Sequence, residues 1–257
     1  MTTIADSVDV VLLTMNSERK LRECLKSVYD NIPVSHLIVV DGHSEDKTFE
    51  ILNEFNAKYK NVKIVFDRGT RATARQKGIE NVKTDWFVFV DSDCILCDDW
   101  YKKAMKFVDE RVGAVWGTEI WSTIESPIML KLFLYITRKV FEIRGGTHDT
   151  LIRTDLVRDI EIPKGLHVFE DAYIKDWIES KGYSVRACYD PFCIHYRPEN
   201  VWTLKGSVGL MNEALTLGDP RMISKLLAAY GFYTAYAFYQ LGSRGNHPAR
   251  RISPSVK

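Results

Sequence analysis

The chain has 257 residues, 46% of them hydrophobic and 27% charged, and 35 Lys and Arg offset 34 Asp and Glu to leave a net charge of +1. This length can bury a full core, and α/β folds of this size are commonly one domain. The near-zero charge gives no general attraction for nucleic acid, so we expect no nucleic-acid partner. The N-terminus has neither a basic start nor an apolar segment, which predicts no secretory signal and a cytoplasmic location.

The five cysteines are an odd number scattered through the chain. A domain of this size does not need disulfide staples, so the pattern indicates reduced thiols inside a cell. Cys94 and Cys97, or Cys188 and Cys193, could be interpreted as a zinc site or as disulfides. Their apolar flanking residues favour the simpler interpretation, in which the thiols are small buried hydrophobic groups.

The first half of the chain alternates strand and helix patterns. Strands are predicted at 8–15, 37–40, 62–66 and 85–90, and helices follow the first two strands and fill 69–82. Strands that alternate with helices imply a mostly parallel sheet with right-handed crossovers. The sequence therefore predicts an α/β, Rossmann-like fold of the nucleotide-binding type.

The strand predicted at 85–90 ends in two carboxylates, Asp91 and Asp93, one residue apart. Ligands of open α/β sheets bind at the C-terminal ends of the strands, so this pair is expected where a substrate binds. Two carboxylates there suit Mg²⁺ or Mn²⁺ that carries a phosphorylated substrate. Asp-x-Asp also arises by chance in a chain with this many aspartates, and it is the position at the strand end that gives this one weight.

The second half continues the mixed pattern up to about residue 198. A strand is predicted at 113–120, a helix at 129–143, a glycine loop at 145–148, a helix from 169 to 180 and short strands around Val185 and Ile194. The helix that begins near Glu170 ends at Lys181 and Gly182, a basic last turn followed by glycine.

The C-terminal part differs, because no charged residue occurs from 226 to 243 and basic residues flank this run. The run is slightly short for a spanning helix of about 20 residues, and its tyrosines make it amphipathic. We expect peripheral attachment to the cytoplasmic face of a membrane. Packing of the run on the protein's own core, or on a second copy in a homodimer, is the alternative.

The order of these features resembles the family 2 glycosyltransferases of the GT-A fold. The matching segments are 14–18, 40–44, 69–76, 91–93, 145–146, 151–153, 170–171, 181–183 and 191–195. The resemblance spans about 8–198 and implies a GT-A catalytic domain over 1–198 with a C-terminal helical extension over 199–257. It also implies a nucleotide-diphosphate sugar donor and a glycan or lipid-linked acceptor.

The resemblance implies roles for residues on the donor side. Thr14, Asn16, Glu18 and Asp41 correspond to positions that hold the base and ribose, and Arg75 to a cation near the diphosphate or the sugar. On the residues alone, 41–44 is equally typical of an ordinary turn, and Arg75 of a helix surface.

The resemblance also implies a metal site at the end of the fourth strand. Asp91, Ser92 and Asp93 are implied to bind the donor diphosphate, with the two carboxylates holding Mg²⁺ or Mn²⁺. His195 matches a further metal ligand in part of the family, although a lone histidine is more often a packed or solvated residue. The ion would offset charge on the leaving nucleotide diphosphate.

Glu170 and Asp171 match the family's Glu-Asp pair. The resemblance implies that Glu170 belongs to the nucleotide-sugar site and that Asp171 is the general base toward an acceptor hydroxyl in an inverting reaction. Without the resemblance, the two acids are also typical of a helix N-terminus, where they complement the helix dipole.

Two other functions remain open on the sequence. A polyprenyl-phosphate sugar synthase has an acceptor phosphate that is already ionised, so it needs no general base. The presence of Asp171 therefore argues against this function. A non-catalytic nucleotide-binding protein gives no reason for Asp91, Asp93, Asp171 and His195 to gather around one pocket. A nucleotidyltransferase would carry a basic, Gly-rich loop after the first strand, and 15–18 is not such a loop.

Overall fold

A computed structural model describes residues 6–124 and 126–196, together with 212, 213 and 215. They belong to one compact unit, Met1–Gly218. The strands are β1 (Val8–Thr14), β2 (Val34–Asp41), β3 (Val62–Phe66), β4 (Trp86–Asp91), β5 (Cys94–Leu96), β6 (Val112–Trp121), β7 (Asp149–Arg153) and β8 (Ser184–His195). The helices are α1 (Glu18–Asn31), α2 (Thr48–Tyr59), α3 (Arg71–Glu80), α4 (Trp100–Met105), α5 (Pro127–Arg144), α6 (Thr154–Val157) and α7 (Glu170–Ser180).

The strands of the described residues form one sheet in the order β3-β2-β1-β4-β7-β6-β8-β5. The first four of these are mutually parallel, β6 is parallel to β8, and β7 and β5 run antiparallel to their neighbours. The predicted mostly parallel α/β sheet is thus confirmed. Thr14 pairs with Asp41 and Leu13 with Asp91, so the strand ends that carry predicted site residues lie side by side.

Apolar side chains cover both faces of the sheet. One face packs on α1, α2 and α4, and the other on α3 and α7. Strand β4 is buried on both faces up to Val90, which explains its continuous apolar run. At Gly78 on α3, a Cβ atom would lie 2.4 Å from Cγ1 of Val11, so glycine allows α3 to approach β1 closely. Arg75, one turn earlier on α3, is thereby brought against the sheet.

The structure departs from the sequence expectation in the last strands. The short strands expected around Val185 and Ile194 are the two ends of one strand, β8, whose pairing with β6 shifts register between Trp116 and Thr118. The segment contains Asp190 and Pro191, which are poor strand formers. Their presence in the sequence therefore predicted a break between two strands. Strand β5 and helix α6 were not predicted, because three or four residues are too few for a periodic pattern.

The uncharged run at 226–243 and most of the predicted extension over 199–257 lie outside the described residues. The predicted boundary at residue 198 therefore stays a prediction. Among the helices in the described part of the chain, none combines the length and apolarity that crossing a membrane requires.

Candidate active site

The loops after β1 and β2 are joined by hydrogen bonds around Asp41. This side chain is fully buried, and its Oδ2 accepts from the hydroxyls of Thr14 and Ser44, each at 2.7 Å. Its Oδ1 accepts from the Ser44 N–H at 2.7 Å, and Ser44 Oγ accepts from the Asn16 N–H at 2.8 Å. The carboxylate therefore fixes both loops in one conformation. Asn16 adopts φ of 50°, a left-handed conformation that asparagine tolerates.

Asn16 and Glu18 reach across to the loop after β2. Asn16 Oδ1 accepts from the Glu45 N–H at 2.8 Å, and Glu18 Oε2 accepts from the Lys47 N–H at 3.1 Å. Both residues are exposed. Glu18 also lines a surface depression with residues of α1 and α2. The four residues predicted to hold the base and ribose thus lie at, or directly after, the ends of β1 and β2.

Ser92 connects these loops to the end of β4. Its hydroxyl lies 2.9 Å from the hydroxyl of Ser17, whose N–H donates to Thr48 Oγ1 at 2.9 Å. The loop after β1 is therefore in contact with both the second loop and the predicted metal-binding segment.

Arg75 is buried and pairs with Asp91. Its Nη2 donates to Asp91 Oδ1 at 2.6 Å, and its guanidinium carbon lies 4.7 Å from the centre of the Phe89 ring. Burial raises the pKa of the Asp91 carboxyl, but the charge and hydrogen bond of Arg75, together with the charges of His195 and His148, hold that pKa well below its usual range. Nε and Nη1 of Arg75 are buried with no hydrogen-bond partner among the described residues. The interpretation of Arg75 as an ordinary surface arginine is therefore wrong.

Glu170 and Asp171 begin α7 and are both buried. Burial and the Asp171 charge raise the pKa of Glu170, the Arg75 and Arg71 charges oppose the rise, and the net pKa is about 7. Glu170 Oε2 has no hydrogen-bond partner in the described part of the chain. Asp171 Oδ1 accepts from the Ala172 N–H at 2.8 Å. Because Arg75 acts on both Asp91 and Glu170, the end of β4 and the start of α7 form one electrostatic unit.

Asp93 contacts one ring nitrogen of His195, and the carboxylate of Glu119 contacts the other. His195 Nε2 lies 2.9 Å from Asp93 Oδ1, and His195 Nδ1 lies 2.8 Å from Glu119 Oε1, which also accepts from Trp121 Nε1 at 2.7 Å. Cys94 pairs with His195 across β5 and β8, which brings Asp93 next to the imidazole. Burial lowers the pKa of His195, but the surrounding negative groups, including Glu119 and Asp93, hold it well above its ordinary value.

The buried charges continue to β7. His148 Nε2 lies 4.0 Å from Glu119 Oε2, its Nδ1 bonds to Asp149, and Asp149 Oδ2 accepts from Trp100 Nε1 at 2.8 Å. Burial lowers the pKa of His148, but the charge and hydrogen bond of Asp149, together with the charges of Glu119 and Asp91, raise it above its ordinary value. A Cβ atom at Gly117 would lie 1.9 Å from Asp149 Oδ2, so only glycine fits beside this carboxylate. Gly117 lies where the pairing of β6 with β8 shifts register.

Glu119, His148 and Asp149 were not among the predicted site residues. Glu119 lies in a mostly apolar strand, His148 is the last residue of the predicted glycine loop, and Asp149 follows that loop. The available signal was a charge inside a buried strand, which requires a partner. The identity of that partner depends on strand pairing that no local pattern reveals.

The donor set at the end of β4 fits a divalent metal ion. Within the described ranges, two groups of side chains have ligand-type atoms within 4.8 Å of one another: Asp93, Cys94 and His195, and His148, Asp149 and Cys193. All five cysteines are buried free thiols, as expected, and burial raises the pKa of Cys94 and Cys193 well above the usual range. The thiols are therefore neutral and poor ligands. Asp93 and His195 remain, and a carboxylate with an imidazole suits Mn²⁺ better than Mg²⁺, which prefers oxygen ligands.

Known proteins resemble the chain in sequence. Residues 9–149 match the profile of "Glycosyl transferase family 2". The poly(ribitol-phosphate) beta-glucosyltransferase of Bacillus spizizenii is 34% identical over 252 residues, covering 87% of this chain and 39% of that protein. An uncharacterized glycosyltransferase of Haemophilus influenzae is 33% identical over 107 residues, covering 39% of this chain and 42% of that protein. The chain thus spans about two fifths of the length of these relatives.

Solved structures share the fold. The mannosyltransferase PcManGT of Pyrobaculum calidifontis, in complex with GDP-Man and Mn²⁺, superposes with a TM-score of 0.64 at 17% identity, covering 93% of this chain and 79% of that one. TarS 1–349 of S. aureus gives a TM-score of 0.59 at 22% identity, covering 73% of this chain and 60% of that one. Because the family profile covers more than half of the chain, the chain belongs to glycosyl transferase family 2, and its fold is that of GT-A transferases.

Proposed function

We propose that the protein is an inverting, divalent-metal-dependent glycosyltransferase that moves a sugar from a nucleotide-diphosphate sugar to a hydroxyl of a glycan or lipid-linked acceptor. The observation that carries this proposal is the position of Arg75. It bonds to Asp91, and its charge opposes the rise in the pKa of Glu170, which supports a single site for the donor-side and acceptor-side carboxylates. Membership of the family and the donor sugar in PcManGT support the same reaction.

On the donor side, Thr14 and Asp41 are proposed to shape the nucleoside pocket. Asp41 already accepts three hydrogen bonds and is fully buried, so its role is to hold the two loops in place. The exposed side chains of Asn16 and Glu18 are then the groups available to the base and ribose. Ser92, in contact with Ser17, would fix the position of these loops relative to the diphosphate site.

Asp93 and His195 are the residues that would hold the metal ion, with Asp91 beside them. Asp91 is engaged by Arg75, whereas Asp93 faces His195 Nε2, and the two carboxylate side chains are 30% and 28% exposed. A divalent cation held there would offset the charge that develops on the leaving nucleotide diphosphate. Glu119 would not act on the substrate. It would fix the His195 ring through Nδ1, as carboxylates do for metal-binding histidines.

On the acceptor side, Asp171 is proposed to remove the proton from the attacking hydroxyl. An inverting reaction needs a base on the face opposite the leaving group. Burial and the neighbouring charge raise the pKa of Glu170, and such repulsion disfavours the ionisation of both carboxyl groups at once. Arg75, between Asp91 and Glu170, would stabilise negative charge on the donor.

The test is a screen of donors and acceptors on the full chain. Thermal stability is measured with UDP-glucose, UDP-N-acetylglucosamine and GDP-mannose, with and without Mn²⁺, because a ligand that binds only the folded state raises apparent stability. Poly(ribitol phosphate) is the first acceptor to try, since a relative carries it in its name. An acid-stable β-glycoside from an α-linked donor is expected. An acid-labile glycosyl phosphate would instead identify a phosphate acceptor. The absence of both donor binding and product would indicate a non-enzymatic function.

The membrane attachment of residues 226–243 is a separate proposal. It rests on the uncharged, aromatic composition of this run and its basic flanks. Flotation of the full chain with anionic vesicles at low salt is expected, and the paired substitutions Phe232→Ser and Phe238→Ser should weaken it. If the full chain stays unbound but sediments as a dimer, the run packs on a second copy instead.

A further inference from the structure

The loop at 165–169, which leads into α7, is held by a carboxylate from far along the chain. Glu213 Oε1 accepts from the His167 N–H at 3.0 Å, and its Oε2 accepts from the N–H groups of Val168 at 2.9 Å and Phe169 at 3.2 Å. Three successive N–H groups that converge on one carboxylate form an anion-binding nest. Such charge-assisted hydrogen bonds are stronger than neutral ones.

The bonds from Glu213 act on the loop and not on the interior of α7. The first helical hydrogen bond of α7 runs from the Tyr173 N–H to the Phe169 carbonyl. Phe169, as the N-cap residue, offers no side-chain acceptor of its own. Glu213 therefore supplies, from outside the helix, the acceptor that fixes the backbone immediately before Glu170.

The chain that precedes this loop is held by α3. The Ile162 N–H donates to Gln76 Oε1 at 3.0 Å, and the Thr70 hydroxyl donates to the Lys164 carbonyl at 2.9 Å. A Cβ atom at Gly165 would meet nothing within 4 Å, so the chain is free of packing constraints at that point. The described contacts thus hold the loop from two sides, and Glu213 controls the side that adjoins Glu170 and Asp171.

We propose that Glu213 is a positioning residue for the transfer reaction. By fixing the backbone of 167–169, it sets where α7 begins and hence where the Asp171 carboxylate lies. The segment after the sheet would then take part in catalysis without touching the donor or the acceptor. This inference rests on the role proposed for Asp171.

The test compares Glu213→Gln and Glu213→Asp in the full chain, with Glu110→Gln, an exposed carboxylate in the turn before β6, as the matched control. Gln keeps the size but loses the charge, and its amide nitrogen faces N–H donors. The release of UDP from UDP-glucose with Mn²⁺, with water as acceptor, gives kcat and KM, and hydrogen exchange reports on the amides of 165–171. For Glu213→Gln we expect kcat to fall about 10- to 100-fold, as misplacement of a catalytic group does.

The KM and the affinity for UDP with Mn²⁺ should stay unchanged in Glu213→Gln, because Glu213 binds the segment that leads into α7, whereas the donor site is proposed at the ends of β1, β2 and β4. The amides of 167–169 should exchange faster, and Glu213→Asp should recover part of the rate. Unchanged kcat and exchange would overturn the inference, as would equal losses in kcat and UDP affinity, which would indicate a general structural role. If Asp171→Asn keeps the wild-type kcat, the base proposed for the reaction is wrong. If UDP-glucose is not cleaved at all, hydrogen exchange still tests the inference, and unchanged exchange of the amides of 167–169 in Glu213→Gln would overturn it.

Discussion

The two halves of the candidate site satisfy their polar groups to different degrees. Around Asp41, the hydroxyl and backbone N–H groups of the two donor-side loops donate to one another or to the carboxylate. Around Arg75, the described contacts leave Nε and Nη1 of the guanidinium and Oε2 of Glu170 buried without partners. The polar groups named in the first region have partners within the protein, whereas the second region keeps buried donor and acceptor atoms without partners in the part of the chain that the structure describes.

Unsatisfied buried groups cost stability, and native proteins keep few of them. The three such atoms on Arg75 and Glu170 therefore mark a place where a ligand would supply the missing partners. This comparison predicts that substitutions around Asp41 act first on stability, and that substitutions around Arg75 and Asp171 act first on turnover.

The largest effect is expected from Asp171→Asn. Loss of the general base should slow transfer by roughly 10²–10⁴-fold. Donor affinity should stay close to that of the wild type, because Asp171 acts on the acceptor. Steady-state kinetics and UDP titration separate the two quantities, and full transfer activity in the variant would remove Asp171 from this role.

Arg75→Met should lower both turnover and stability. The variant leaves Asp91 without its partner and removes the charge between Asp91 and Glu170. We expect a loss of roughly 10–100-fold in kcat/KM for the donor, together with about 1–3 kcal/mol in the free energy of unfolding. Lys77→Met, on the same helix but with a partly exposed amine, is the control. Equal effects of the two substitutions would argue against a special role for Arg75.

Asp41→Ala should act mainly on folding. It leaves three donors from Thr14 and Ser44 without their acceptor, at a cost of about 1–3 kcal/mol in the free energy of unfolding. UDP affinity should fall because the two loops lose their common anchor, while kcat at saturating donor changes little. Urea unfolding and UDP titration test this, and a stable variant with impaired turnover would reverse the distinction between the two regions.

Glu170→Gln should change the pH dependence of stability. The folded state raises the pKa of Glu170 from 4.5 to about 7, so it holds a proton that the unfolded chain releases. Stability should therefore fall as pH rises from about 4.5 to 7 and then level off. The variant lacks this loss and should be more stable than the wild type by roughly 1–3 kcal/mol at pH 8, with little difference at pH 4. Parallel unfolding curves at all pH values would contradict the raised pKa.

The sequence was informative where a local pattern determines position. Asp41, Asp91 and Asp93 could be placed because each follows an apolar strand, and parallel strand ends meet at one edge. The burial of Arg75 could not be predicted, since it depends on the close approach of α3 to β1 at Gly78. Likewise, Glu119 reaches His195 only through the pairing of β6 with β8, a contact between residues 76 positions apart.

The central claim is that the end of β4 binds the donor through a divalent ion, and calorimetry of UDP binding tests it directly. With Mn²⁺ the full chain should bind UDP at least about tenfold more tightly than without it, which corresponds to about 1.4 kcal/mol. Asp93→Asn should abolish this difference while the unfolding temperature in the absence of Mn²⁺ stays near that of the wild type. Equal UDP affinity with and without Mn²⁺ in the wild-type chain would contradict the account.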